Sequence, residues 1–149
     1  MTSKSIFRTT VFIFFASLFI TSSALAAPRL YLEPNTISVK KDQEFSLTLK
    51  IDVEDNQSIG SDISLNFAGT DQELVGVDNA NFFPEFTWAS AASGKIEIHA
   101  FSSSIYQTKT GQGTLATLKF RAKKEGGSST LSFECSSSGN NTNILSSEG

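Results

Sequence analysis

The sequence predicts an all-β domain, a sandwich or jelly roll, on three observations. Beyond residue 26, apolar and polar residues alternate with period two in one segment after another. No stretch sustains the 3.6-residue periodicity of an amphipathic helix, and runs rich in Gly, Asn, Asp and Ser separate the segments. Such spacing suits two packed antiparallel sheets, with an immunoglobulin-like sandwich as the alternative to the jelly roll.

At the N-terminus, Lys4 and Arg8 precede the unbroken apolar run VFIFFASLFI, and Ala24 and Ala26 supply the small residues of an A-x-A site. This order predicts a secretory signal peptide over residues 1–26, cut after Ala26 so that Pro28 does not directly follow the scissile bond. The run from Val11 to Ile20 has ten residues, whereas a membrane-spanning helix needs roughly 20. Export without a membrane span is therefore expected, leaving a mature domain over 27–149 that is extracellular or at the cell surface.

The first strand candidates are RLYLEP and TISVKK, two short strands or one strand broken at Pro34, because proline cannot donate to a ladder. EFSLTLKIDV is the cleanest, with Phe45, Leu47, Leu49, Ile51 and Val53 alternating against polar residues, the pattern of a long, half-buried central strand. DISLNF places Ile63, Leu65 and Phe67 on one side and Asp62, Ser64 and Asn66 on the other. ELVGV, KIEIHAF, TLATLKFRA and TLSFEC follow, separated by AGTDQ, ASG, KTGQG and KEGGSS. Cys135 shares parity with Leu131 and Phe133 and is the only cysteine, so it forms no intrachain disulfide and is expected as a small buried apolar residue.

Charge and composition narrow the function. Two of the twelve basic residues and none of the fifteen acidic ones lie in residues 1–26, so the remainder carries a net charge of −5. Nucleic acid is not an expected partner. His99 is the only histidine and no G-x-S-x-G elbow is present, so neither a multi-histidine metal site nor a recognisable nucleophile–base set can be built. The domain is expected to be no enzyme and to hold no cofactor or metal. The acidic stretch DVEDNQ, residues 52–57, offers oxygen donors but lacks the spacing and glycine of an EF-hand loop, and reads as a solvated turn. NFFPEFTW carries Phe82, Phe83, Phe86 and Trp88. Trp88 and Phe86 are candidates for stacking on a sugar ring, whereas core packing is the plainer account of the cluster.

Over nearly all of 27–149 the order of segments resembles the cohesin domain, the secreted β-sandwich module that docks dockerins in cellulase assemblies. The resemblance rests on LYLEP and ISVKKDQEFSLTLKIDV as opening strands, then IGSDISLNFAGTDQELVGVDNANFF, GKIEIHAFSSS, GQGTLATLKFRAKKEGGSSTLSFE and NNTNIL in the family's order. Two departures stand out: Phe67, Ala68 and Gly69 replace the usual Tyr-Asp-Pro-like strand end, and Gly60 stands where an asparagine is common. The resemblance implies a nine-stranded jelly roll whose outward face, built from strands three, five, six and eight, receives a protein partner. Asp62 matches a family position that hydrogen-bonds the partner, with Ser64, Asn66, Ser132 and Glu134 on the same face. Alternation in KIEIHAF adds Glu97 and His99, and leaves Phe101 either as an exposed anchor or turned inward by a bulge near Ala100. The chain stops where the family usually adds one more strand; if that strand is missing, the one around Leu30 and Leu32 keeps an open edge. The expected function is a secreted, non-catalytic module that recognises a dockerin-like or other protein. The alternatives are a polysaccharide-binding module and a structural sandwich of a surface or adhesion protein.

Overall fold

The computed structural model describes residues 27–91, 94–126, 128–135 and 141–147; the expected signal peptide lies outside them. All regular secondary structure among these residues is β. The strands are β1 (Arg29–Glu33), β2 (Glu44–Asp52), β3 (Ser58–Asn66), β4 (Gln72–Asn79), β5 (Glu85–Ala91), β6 (Lys95–Phe101), β7 (Gln112–Ala122), β8 (Ser132–Phe133) and β9 (Asn143–Ser146). They form two antiparallel sheets, one in the order β1-β2-β7-β4 and one in the order β5-β6-β3-β8, with β9 also paired to β3. No helix among the described residues is long and apolar enough to cross a membrane.

The inward sets of the alternating segments build the core. Leu49 and Ile51 of β2, Leu65 of β3, Ile96 and Ile98 of β6, and Leu118 and Phe120 of β7 are fully buried where the two sheets face each other. Phe120 stacks on Phe45 at 5.6 Å and meets Phe67 edge-on at 5.4 Å, so one ring joins both sheets. Phe83 is buried and Phe82 packs against it at 5.0 Å, so this part of the aromatic cluster belongs to the core. The β2–β7 register shifts between Leu49 and Lys50, passing over Leu115; adjacent Leu115 and Ala116 are thus both buried, which strict alternation would forbid.

Three expectations need correction. TISVKK forms no strand: both edges of β2 are filled by β1 and β7, and Ile37 stays 43% exposed on an irregular path to β2. Cys135 is exposed, not buried, because β8 ends at Phe133 and the parity of TLSFEC lapses with the ladder. TLSFEC is shorter than its alternation suggests: only Ser132 and Phe133 form β8, and β9 takes up the same edge of β3. β8 pairs Phe133 with Leu65 and Ser132 with Asn66; β9 then pairs Asn143 with Asp62 and Ile144 with Ser61, farther along the same edge of β3. Between the two strands the Glu134 N–H donates to Ser64 O at 2.8 Å, and the Thr142 N–H donates to Glu134 O at 3.0 Å. Thr142 closes the break with its side chain: its hydroxyl accepts from Ser64 N–H and donates to Ser64 O, each at 3.0 Å.

In the acidic stretch at the end of β2, Asp52 and Asn56 are held by local hydrogen bonds. Arg29 donates to Asp52 at 3.3 Å, the Glu54 N–H donates to Asp52 at 3.2 Å, and Asn56 Nδ2 donates to Val53 O at 3.0 Å. Residues 54–56 form the turn and 55–57 are exposed, in line with the solvated turn that the sequence suggests.

Candidate functional site

β3 and β6 pair without a break from Asn66↔Lys95 to Gly60↔Phe101, so period two carries their outward residues onto one surface. That surface holds Asp62, Ser64 and Asn66 from β3 beside Lys95, Glu97, His99 and Phe101 from β6. β5 extends it with Glu85 and Thr87, which lie opposite Phe101 and His99. Ser132 and Glu134 flank the other side of β3, and Asn143 follows them at the position of Asp62.

Most polar groups on this face are already cross-linked. His99 Nδ1 lies 2.6 Å from Asp62 Oδ1; a carboxylate only accepts, so the ring hydrogen sits on Nδ1. Lys95 Nζ lies 3.1 Å from both Glu97 Oε1 and Glu134 Oε2. Ser64 Oγ donates to Glu134 Oε2 at 2.9 Å. The Ser64 hydroxyl and the Lys95 ammonium hold the Glu134 carboxyl below the ordinary carboxylate range. Hydrogen bonds to Glu97 and then Glu134 push Lys95 above the ordinary lysine value. With Asp62, Glu85, Glu97 and Glu134 against Lys95, the face is acidic.

The expected residues do not all play the same part. Asn66, Ser132, Glu97 and His99 are exposed, and Asp62 and Glu134 are half-exposed. Ser64 is buried despite its outward parity, because Glu134 and Thr142 cover it; it supports the face and offers no free surface. Phe101 needs no bulge. The register continues through it, and its ring lies over Gly60, where an added Cβ would come within 2.4 Å of Phe101 Cδ1 and 2.9 Å of the Ala100 carbonyl. Phe101 is thus an outward, half-buried apolar patch at one end of the face, and the glycine that departs from the family pattern is its seat. Sequence reasoning missed Lys95 although it shares the parity of Glu97 and His99; it also missed Asn143 and Thr142, whose place no local periodicity indicates.

Trp88 and Phe86 lie apart from this face. On β5 they pair with Ile98 and Ala100, the inward residues of β6, so they project to the opposite side of the sheet. Phe86 packs against the core, while Trp88 remains 42% exposed because β5 is an edge.

No protein-family model matches the chain, and no curated protein sequence matches it. Solved structures do match in fold. The sixth cohesin of scaffoldin B from Acetivibrio cellulolyticus, in complex with a Cel5 dockerin mutant, is 14% identical, with a TM-score of 0.67 over 82% of this chain and 88% of that one. A type II cohesin domain from the cellulosome of the same organism is 17% identical, with a TM-score of 0.61 over 83% and 85%. A type I cohesin–dockerin complex from Clostridium thermocellum matches with 9% identity and a TM-score of 0.65 over 81% of this chain and 92% of that one. The chain therefore has the cohesin jelly-roll fold.

Proposed function

We propose that this cohesin-fold chain is an exported, non-catalytic binding module, cleaved after Ala26, that receives a dockerin-like protein on the outer face of β5-β6-β3-β8. The observation that carries the reading is the collection of Asp62, Asn66, Glu97, His99, Phe101, Ser132 and Glu134 on one open sheet surface, with an apolar patch at one end. Solved structures of the same fold include cohesins in complex with dockerins, which supports this choice of partner.

Recognition follows from the chemistry of the face. Its carboxylates can accept from donors on the partner, and ion pairs on the free surface hold Glu97 and Glu134 in place before binding. Phe101 supplies apolar area that needs no hydrogen bond. The polysaccharide reading has less behind it, since Trp88 is one ring on a sheet edge and Phe86 is packed away.

The test is capture of partners from secreted material by residues 27–149, followed by calorimetry on the protein recovered. A folded Asp62, Asn66 and Glu134 triple alanine variant is expected to lose binding, and Trp88→Ala to retain it. Full binding by the triple variant, or loss on Trp88→Ala alone, overturns the reading. Recovery of a native N-terminus other than Ala27 from exported protein refutes the proposed cleavage.

A further inference from the structure

The outer face of β5-β6-β3-β8 turns apolar at one end. Glu85, Phe101, Gly60 and Leu145 lie in one row across β5, β6, β3 and β9. Leu145 is two residues beyond Asn143 on β9, so it points outward as Asn143 and Phe101 do, and it is half-buried. The Phe101 ring covers Gly60 from one side and Leu145 stands on the other. This row therefore carries two apolar side chains, whereas the next row, with His99, Asp62 and Asn143, is polar.

From Phe101 the chain runs into the segment 102–109, which is tied down at both ends. The Ser102 N–H donates to Ile59 O at 2.9 Å, and the Ser103 hydroxyl donates at 2.8 Å to Glu85 Oε1, on the residue opposite Phe101. At the far end Lys109 and Ser58 exchange backbone hydrogen bonds at 2.8 and 2.9 Å. Between them Ser104 closes a turn: its carbonyl accepts from the Gln107 N–H at 3.0 Å and its hydroxyl from the Tyr106 N–H at 3.3 Å. The tip of that turn is Ile105 and Tyr106, 65% and 88% exposed, more than Ile37, Val75 or Trp88. Turn tips are ordinarily Gly, Asn, Asp or Ser, and the side chains of Ile105 and Tyr106 play no part in closing this one. Single exposed apolar residues are normal on a protein surface. Two together, held out by a tethered turn that leaves an outward phenylalanine, form the kind of patch that marks an interaction site.

We propose that the turn 104–107 is an apolar arm of the partner-binding surface, on which Ile105 and Tyr106, with Phe101 and Leu145, take an aliphatic or aromatic side chain of the same protein that docks on the face around Asp62. The proposal rests on the assignment of that face as the partner site. The occupant follows from continuity and charge. The Ser103–Glu85 hydrogen bond joins the segment to the face, and residues 102–108 carry no charged side chain, so an apolar group suits the arm and a charged one does not. Carboxylates on the face act mainly on encounter, whereas apolar anchors that exclude water act mainly on dissociation.

The test immobilises the protein recovered from secreted material and measures binding of the exported chain and its variants by surface plasmon resonance. The double variant Ile105→Ser, Tyr106→Ser alters only exposed side chains and should unfold at the same urea concentration as the parent. It is expected to bind about tenfold more weakly, through faster dissociation. Val75→Ser, at an exposed apolar residue of β4 in the other sheet, should bind as the parent does. Parent-like affinity in the double variant, with binding lost in the Asp62, Asn66 and Glu134 triple variant, overturns the apolar arm and leaves the polar face as the site. Parent-like binding by the triple variant overturns both, because the arm is a continuation of that face. Equal weakening by Val75→Ser, slower association without faster dissociation, or recovery of no binding protein overturns the proposal as well.

Discussion

At the scale of single residues, Glu134 and Gly60 show how the face is held. The Glu134 carboxylate is stabilised by the Ser64 hydroxyl and then by Lys95, so its folded pKa is lowered. The contribution of that ionised form is present above the ordinary carboxylate range and lost as pH falls through the lowered folded value. Lys95 is the mirror case: its raised value means that its contribution persists below the ordinary lysine value and fades as pH climbs through the raised one. The network is therefore intact at neutral pH. A side-chain NMR titration should place the Glu134 midpoint below that of a free glutamate, and Ser64→Ala should move it upward; an unmoved midpoint contradicts the assigned cause. Gly60 tests packing. An added methyl meets both the Phe101 ring and the Ala100 carbonyl oxygen, and the backbone atom cannot rotate away. Gly60→Ala is expected to destabilise the domain by about 1–3 kcal/mol, the usual cost of overpacking, and to displace Phe101. Urea unfolding that matches the parent would contradict that seat for the ring.

At the scale of elements, the interrupted edge strand is the distinctive feature. Where β8 and β9 fail to meet, the Thr142 side chain takes over backbone pairing at Ser64. Thr142→Val keeps the shape but leaves the Ser64 N–H without its acceptor, a loss of about 1–3 kcal/mol for a buried donor. Thr142→Ser keeps the hydroxyl and should restore most of that stability. Equal stability in the valine and serine variants would mean that the hydroxyl is not what joins the strand. β3 itself separates two kinds of failure. Leu65 is fully buried, and Leu65→Ala should cost about 2–5 kcal/mol, whereas exposed Asn66→Ala should stay within about 0.5 kcal/mol in chemical denaturation.

At the scale of the whole molecule, one outer sheet surface collects polar side chains from four strands. The outer face of β5-β6-β3-β8 is polar, acidic and internally hydrogen-bonded. Electrostatic attraction to an acidic face acts mainly on the rate of encounter and is screened within about 10 Å at 0.1 M salt. Association of the proposed partner at the polar face should therefore slow as salt is raised from 50 to 500 mM, with a smaller change in dissociation. Surface plasmon resonance across that salt range checks this, and a salt-independent association rate at the polar face would argue against an electrostatic role for its carboxylates.

What the sequence determined by itself was the part governed by short periods. Alternation in EFSLTLKIDV, DISLNF and KIEIHAF located β2, β3 and β6 and divided each into a core side and an outer side, because successive residues of a strand must point to opposite faces. Asp62, Asn66, Glu97 and His99 follow from that rule, whereas Phe101, outward or turned in by a bulge on the sequence alone, is placed outward by the unbroken register of β3 and β6. The tertiary structure decided whatever depends on partners distant in the chain. TISVKK has strand-like alternation but no free edge of β2 to join, and Cys135 has the right parity but no ladder to enforce it. Ser64 has outward parity yet is covered by Glu134 and Thr142, which lie seventy and seventy-eight residues away. The unpaired Gln72 amide emerges only when β4 is packed into the sandwich beside β7. Periodicity is a local property of the backbone, whereas burial, pairing and hydrogen-bond satisfaction belong to surfaces that meet only after folding, and local sequence carries no record of which surfaces those are.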